Sequence, residues 1–251
     1  MGRLNTIIFG IYFFSTSLFM VSIAALVCFF TAPFDPNRRI LHYYASFWAM
    51  IYIYSNPWWR IRYEGRENID PSKTYVLVAN HTSFWDIWVL YGLYKPFKWV
   101  SKETIFNVPF VGLNMRLNQY VEIKRGDLKS IKEMMTTCKM WLNRGASIML
   151  FPEGTRSEDG EIHHFRDGAF RLAVDCNVPV VPIIVKGTYE IFPKDSKALN
   201  FKSDIVVRVL KPVHPDEFDR SSGLMRKHVQ ELIMENYDEL RGKKKITSDK
   251  H

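Results

Sequence analysis

Cysteine is scarce in this chain: Cys28, Cys138 and Cys176 are the only three in 251 residues, and their spacing suits neither metal ligation nor a disulfide framework. That poverty excludes a stapled secreted scaffold and fits a catalytic domain in a reducing compartment. HxxxH, HExxH and paired-cysteine patterns are missing as well, so no resident metal is expected. There is no internal repeat. The net charge is +8, yet the aromatic residues are not interleaved with Lys and Arg, and no nucleic-acid fold motif occurs. Nucleic acid is therefore set aside as a partner, which leaves an anionic membrane surface or an acidic substrate carrier to account for the charge.

Charge is also absent from Thr6 to Phe30, 25 consecutive residues, long enough to cross a hydrocarbon core. The run is too long for a cleaved signal peptide, its only basic flank is Arg3, and no small-x-small site follows. Lipidation is not expected at Cys28, because Leu26 and Val27 precede it where a small residue is required. A membrane-embedded helix is the expectation, either spanning or dipping into one leaflet. A second apolar run, His42 to Trp59, carries Tyr43, Tyr44, Phe47, Trp48, Tyr52, Tyr54, Trp58 and Trp59, rings that prefer the headgroup level. Basic residues flank it on both sides, Arg38 and Arg39 before it and Arg60, Arg62 and Arg66 after it. This favours an interfacial or re-entrant helix over a second crossing, with both clusters at the cytoplasmic face.

From Tyr63 onward the pattern alternates between short apolar runs and helical periodicity. Strands are expected at Tyr75–Ala79, Tyr120–Ile123, Ser147–Phe151, Val180–Val185 and Ile205–Leu210, several of them continuously apolar as buried strands are. Helices are expected after Asp86, over Asp127–Arg144 and over Ser222–Leu240. In the second of these, Leu128, Ile131, Met135, Cys138 and Leu142 recur at helical spacing and read as the core face. The length and the apolar content suit one catalytic domain with a small appendage. The fold class is α/β, divided into membrane-associated helices over 1–62, an α/β domain over 63–241 and a basic tail over 242–251 that includes Lys243, Lys244 and Lys245.

Two polar turns carry the chemistry. Asn80-His81-Thr82-Ser83-Phe84-Trp85-Asp86 follows an apolar run and sets a histidine and a carboxylate five positions apart. A histidine can take a proton at neutral pH, and a carboxylate on its far nitrogen would fix the tautomer and support the imidazolium. Taken alone, the pair reads equally as a buried polar pair or a helix cap. Phe151-Pro152-Glu153-Gly154-Thr155-Arg156-Ser157 follows the second apolar run. Gly154 permits close backbone approach, Thr155 offers a hydroxyl, and Arg156 carries a planar fork suited to a phosphate monoester. Alone, this is either an anion seat or a β-turn with a surface arginine. The carboxyl ends of strands in an open α/β sheet line one crevice, so both turns can face a single site.

Together the two turns resemble the 1-acylglycerol-3-phosphate acyltransferase family, whose pattern is an NHxxxxD box, a second basic block, an FPEGTR box and a proline-containing apolar strand. Ser101-Lys102-Glu103, Val108-Pro109-Phe110-Val111-Gly112 and Val121-Glu122-Ile123-Lys124-Arg125 resemble the second block. Phe165-Arg166-Asp167-Gly168-Ala169 and Val178-Pro179-Val180-Val181-Pro182-Ile183 resemble the rest, so the likeness runs from Tyr63 to Val185. Asn118-Gln119 stand where the family often has glycine, and Arg166 stands where it often has lysine. The resemblance implies a central mixed sheet flanked by helices. It also implies acyl transfer from acyl-coenzyme A or acyl carrier protein to the sn-2 hydroxyl of lysophosphatidic acid at a membrane, with no cofactor; the alternatives are an acyltransferase acting on glycerol 3-phosphate or another lysolipid, and a membrane-bound hydrolase that uses the His and Asp with water. His81 would be the base and Asp86 its support. Gly154, Thr155 and Arg156 would seat the phosphate, with Lys102 and Arg125 as further contacts and Glu153 holding Arg156 or the turn. Ser83 lacks a nucleophile-elbow context and the cysteines read as structural, so direct transfer is expected without an acyl-enzyme.

Overall fold

A computed structural model of the chain describes residues 2–191, 200 and 202–242, so the expectation for Lys243, Lys244 and Lys245 lies outside the described residues. The chain opens with α1 (Gly2–Thr31) and α2 (Arg39–Tyr54), which pack on one another. Within α1, Gly10–Thr31 is long and apolar enough to cross a membrane by length and composition. Most of its large side chains stay uncovered, Ile11, Phe14, Phe19, Phe29 and Phe30 among them. The aromatic run after it divides by face. Trp48 and Tyr52 enter the core, whereas Tyr43, Phe47 and Tyr54 point outward, because a helix of 16 residues presents different sides every turn.

That run does not continue as helix to Trp59. The helix stops at Tyr54 and Trp59 begins a strand, β1 (Trp59–Glu64), with its indole buried against Trp85. The boundary expected between residues 62 and 63 thus falls inside β1. The chain then runs β2 (Val76–Ala79), α3 (Trp85–Tyr91), β3 (Phe97–Lys102), α4 (Glu103–Phe106), α5 (Val111–Leu117), β4 (Val121–Ile123) and α6 (Leu128–Asn143). It finishes with β5 (Ser147–Leu150), α7 (Gly168–Cys176), β6 (Val180–Lys186), β7 (Ser203–Val209) and α8 (Ser222–Leu240).

The seven strands form one mixed sheet in the order β1-β7-β6-β2-β5-β3-β4, parallel at every pairing except β6 with β7. β3 was not anticipated, because Phe97-Lys98-Trp99-Val100-Ser101-Lys102 carries lysine inside the run. Lys98 is nevertheless buried, its Nζ donating to the Asn118 carbonyl at 2.7 Å and lying 4.3 Å from the Trp141 ring. β2 and β5 are buried on both faces, so their side chains feed two cores. Leu77, Ala79 and Met149 pack with α2 and α3 on one face, and Val76, Val78, Ile148 and Leu150 pack with α6, α7 and α8 on the other. The inward stripe of α6 is displaced from the expected one. Cys138 and Leu142 are buried as expected, but Met134 and Trp141 join them and Leu128 at the helix start is 83% exposed.

Adjacent strands β2 and β5 send their connections in opposite directions, one through α3 to β3 and the other through α7 to β6. A crevice opens at such a reversal beyond the carboxyl ends of the strands, and both signature turns emerge there.

Candidate active site

The site is assembled from the end of β2 outward. Asn80 is wholly buried and locks β2 to β6, donating from Nδ2 to the Val185 carbonyl at 2.9 Å and accepting the Val185 N–H at 2.8 Å. The next residue, His81, is held at its backbone by the second turn: its N–H donates to Glu153 Oε1 at 2.7 Å, and its carbonyl accepts the Ser157 N–H at 2.8 Å. Two segments some seventy residues apart are thereby fastened at the position that carries the imidazole.

The helix expected after Asp86 begins one residue before it, at Trp85, so Asp86 sits in the first turn of α3 with its carboxylate folded back over the loop. Its Oδ2 accepts the backbone N–H of Thr82 at 2.7 Å and of Ser83 at 2.8 Å, and lies 2.9 Å from His81 Nδ1. Two N–H groups already aim at that oxygen, so it is an acceptor and His81 Nδ1 carries the hydrogen. Nε2 is then the bare nitrogen. The other carboxylate oxygen, Oδ1, accepts the hydroxyl of Thr188, a fully buried residue just past β6. Sequence gave no sign of Thr188, whose partner lies 102 positions away. The His81 ring is stacked on Phe151, with centroids 3.9 Å apart and planes 11° from parallel.

Glu153 holds the turn and forms no hydrogen bond or ion pair with Arg156. Its Oε1 takes the His81 N–H and its Oε2 the His163 N–H, the latter at 3.0 Å. Burial pushes its carboxyl pKa up, and the two backbone donors oppose that shift. His163 and His164 lie on an exposed loop, where His163 pairs with Asp159.

Lys102 at the end of β3, Arg125 just beyond β4, and Arg166 converge on Gly154 around an open cavity of about 130 Å³. Gly154 has φ +74°, which requires the glycine for its backbone angle, and the side chain of Arg166 lies directly over its Cα. Burial, then the neighbouring Arg166 charge, lowers the Arg125 pKa. Arg166 is the residue whose place in this cluster sequence reasoning missed. The backbone N–H of Arg166 donates to the Pro152 carbonyl at 2.8 Å, a long-range tie that retains a cation over the turn. Thr155 and Arg156 do not line this cavity. Thr155 is exposed and Arg156 is half-buried, with no hydrogen bond or ion pair from its guanidinium among the described residues.

A second cavity of about 100 Å³ lies on the α1, α2 and α3 side and is almost wholly apolar, with Phe84, Trp88, Trp99, Met115 and Tyr120 in its wall. Trp99 stacks on Phe151 at 5.4 Å, so the two rings stand between the apolar cavity and the cationic one. Among the described residues, no group of three His, Cys, Asp or Glu side chains is placed to hold a metal.

A family model described as Acyltransferase matches residues 60–186. Over 220 residues the chain is 39% identical to a chloroplastic 1-acyl-sn-glycerol-3-phosphate acyltransferase of Arabidopsis thaliana, covering 87% of this chain and 61% of that protein. It is 30% identical over 203 residues to the alpha 1-acyl-sn-glycerol-3-phosphate acyltransferase of Homo sapiens, covering 78% of this chain and 68% of the relative. The crystal structure of a 1-acyl-sn-glycerophosphate (LPA) acyltransferase from Thermotoga maritima shares the fold, with a TM-score of 0.78 and 24% identity, over 96% of this chain and 98% of that one. The chain spans about six-tenths of the length of the plant and algal relatives it matches.

Proposed function

This chain belongs to the acyltransferase family, and on that premise we propose that it moves a fatty acyl group from an acyl thioester to the sn-2 hydroxyl of 1-acylglycerol 3-phosphate, forming phosphatidic acid. The observation that carries this reading is the free Nε2 of His81. The imidazole is stacked on Phe151, which lines the cation-lined cavity and stacks in turn on Trp99 in the wall of the apolar one. One cavity suits the phosphate of the acceptor, and the other suits a hydrocarbon chain.

In the proposed reaction, Nε2 takes the hydroxyl proton while the oxygen attacks the thioester carbonyl carbon. The C–S bond of the tetrahedral intermediate then breaks, and the imidazolium returns its proton to the departing thiolate. Asp86 supports the imidazolium throughout. General-base help contributes about two to four powers of ten, and the remainder comes from positioning and from stabilisation of the oxyanion. Lys102, Arg125 and Arg166 hold the phosphate over Gly154. Arg156, two residues on and without a carboxylate partner among the described residues, adds a further guanidinium, with Thr155 beside it.

The donor is acyl-coenzyme A or acyl carrier protein, both acidic and both matched to a chain of net charge +8. No cofactor takes part. The uncovered apolar face of α1 and the outward rings of α2 rest in the membrane, with the catalytic domain at its cytoplasmic surface, so that single-chain lipid enters without crossing water.

The test is phosphatidate formation by detergent-purified protein from labelled lysophosphatidate, with both donors in parallel and His81→Ala as control. Product from the wild type that disappears in the variant supports the reading. Free fatty acid without phosphatidate would replace it with thioester hydrolysis.

A further inference from the structure

Phe151 is the first residue beyond β5, and sequence offers it as the apolar residue that closes a strand and opens the second signature turn, with no role in the chemistry. In the fold it does more than fill space. The strand order β2-β5-β3 sets His81 and Phe151, just beyond the carboxyl ends of β2 and β5, beside Trp99 in the middle of β3. Their rings form a column: His81 on Phe151 at 3.9 Å and 11°, and Phe151 on Trp99 at 5.4 Å and 29°. Trp99 is 3% exposed and cannot swing aside, so it backs Phe151 against the imidazole.

We propose that Phe151 is a positioning residue for the base: its ring face selectively stabilises the imidazolium that His81 becomes during proton transfer, and fixes the plane in which Nε2 meets the acceptor hydroxyl. The physical ground is the aromatic quadrupole. A phenyl face is negative, so it attracts a cation held within about 6 Å of its centroid and does much less for a neutral ring. An interaction that strengthens as charge develops raises the rate, whereas one equal in both states does not. The charged groups that face His81 are Asp86 from α3, through Nδ1, and Glu153 from the turn after β5, through the backbone N–H. Neither contacts the open face of the ring system that Phe151 covers. The second contribution is orientational: the Asp86 bond fixes one edge of the imidazole, and the stack removes rotation about that hydrogen bond.

The inference rests on His81 acting as the base, and the experiment separates the two. Phe151 is replaced in the full chain by leucine and, in parallel, by phenylalanines carrying one, two and three ring fluorines, which keep the shape while draining the negative face. Two quantities are read: acyl-transfer turnover against pH, and the pH titration of the labelled His81 imidazole followed by NMR. Phe151→Leu is expected to lower turnover about tenfold with the KM for the phosphorylated acceptor unchanged, and to move both the acid limb of the rate profile and the His81 titration to lower pH. The fluorinated series should fall in graded steps with each fluorine. A His81 titration that stays in place across the series, in protein with unaltered melting, overturns the inference. The NMR readout needs no turnover, so it decides the role of Phe151 even if the chain proves not to transfer acyl groups.

Discussion

Replacing Asp86 with asparagine tests the dyad while sparing the fold, and the structure supplies the size of the effect. The carboxylate is fully buried, and its two oxygens have different tasks. Oδ2 gathers three hydrogens, from the Thr82 N–H, the Ser83 N–H and His81 Nδ1, at 2.7, 2.8 and 2.9 Å. Among the described residues, Oδ1 takes only the Thr188 hydroxyl. Asparagine must therefore turn its carbonyl toward the loop, since the reverse would aim an NH2 group at three donors. Its NH2 then faces Thr188, whose hydroxyl rotates to accept. His81 keeps the same tautomer and the same orientation, and only the charge is lost. At about 4 Å and an effective dielectric near 20, one charge on an imidazolium is worth about 4 kcal/mol, roughly three powers of ten in rate. Phosphatidate formation under saturating substrates should accordingly fall by about two to three powers of ten, with acceptor KM within about threefold of wild type and a melting temperature close to it. Turnover within tenfold of wild type, from protein with an intact melt, would refute the claim that Asp86 supports a charged intermediate of His81.

The cationic cluster and the buried lysine give two more expectations. Arg166→Ala should raise the KM for lysophosphatidate by about ten- to a hundredfold, the worth of one charge-assisted hydrogen bond, while turnover of an acceptor lacking the phosphate stays unchanged. Equal losses with both acceptors would remove Arg166 from phosphate binding. Lys98 has its pKa pushed down to about 7, chiefly by burial. Between that value and its unfolded value near 10.5, the unfolded chain binds a proton that the folded protein does not. Stability from this residue therefore grows as pH rises through that window, and the cost of the buried charge is fully present below it. The difference in unfolding free energy between wild type and Lys98→Met should rise by up to about 1.4 kcal/mol per pH unit across the window. Parallel curves for the two proteins would show that Lys98 titrates as an exposed lysine.

Much of the scaffold was legible because its signals are local. The continuous apolar runs at β2, β5 and β6 and the periodicity of α8 specify buried strands and a packed helix by themselves. β3 was illegible because Lys98 breaks the run, and the carbonyl that compensates it lies 20 residues away on Asn118. The α6 stripe was misplaced because the choice between Leu128 and Met134 belongs to the sheet beneath the helix and not to the spacing alone. β1 was illegible because it starts on the last residue of the aromatic run and continues through Arg60 and Arg62, which read as a basic flank.

By itself, the sequence determined that a histidine and a carboxylate share one turn, that a glycine precedes an arginine after a buried strand, and that the chain carries no charge from Thr6 to Phe30. These are properties of neighbours along the chain, where spacing fixes distance. Only the tertiary structure decided that Glu153 serves the His81 backbone, that Thr188 completes the hydrogen bonds of Asp86, that Arg166 stands over Gly154 and that Phe151 lies against the imidazole. The Arg166 contact closes the long connection between β5 and α7, and the others join segments that leave strands made adjacent by the sheet order, which is set by which apolar faces bury one another over the whole chain.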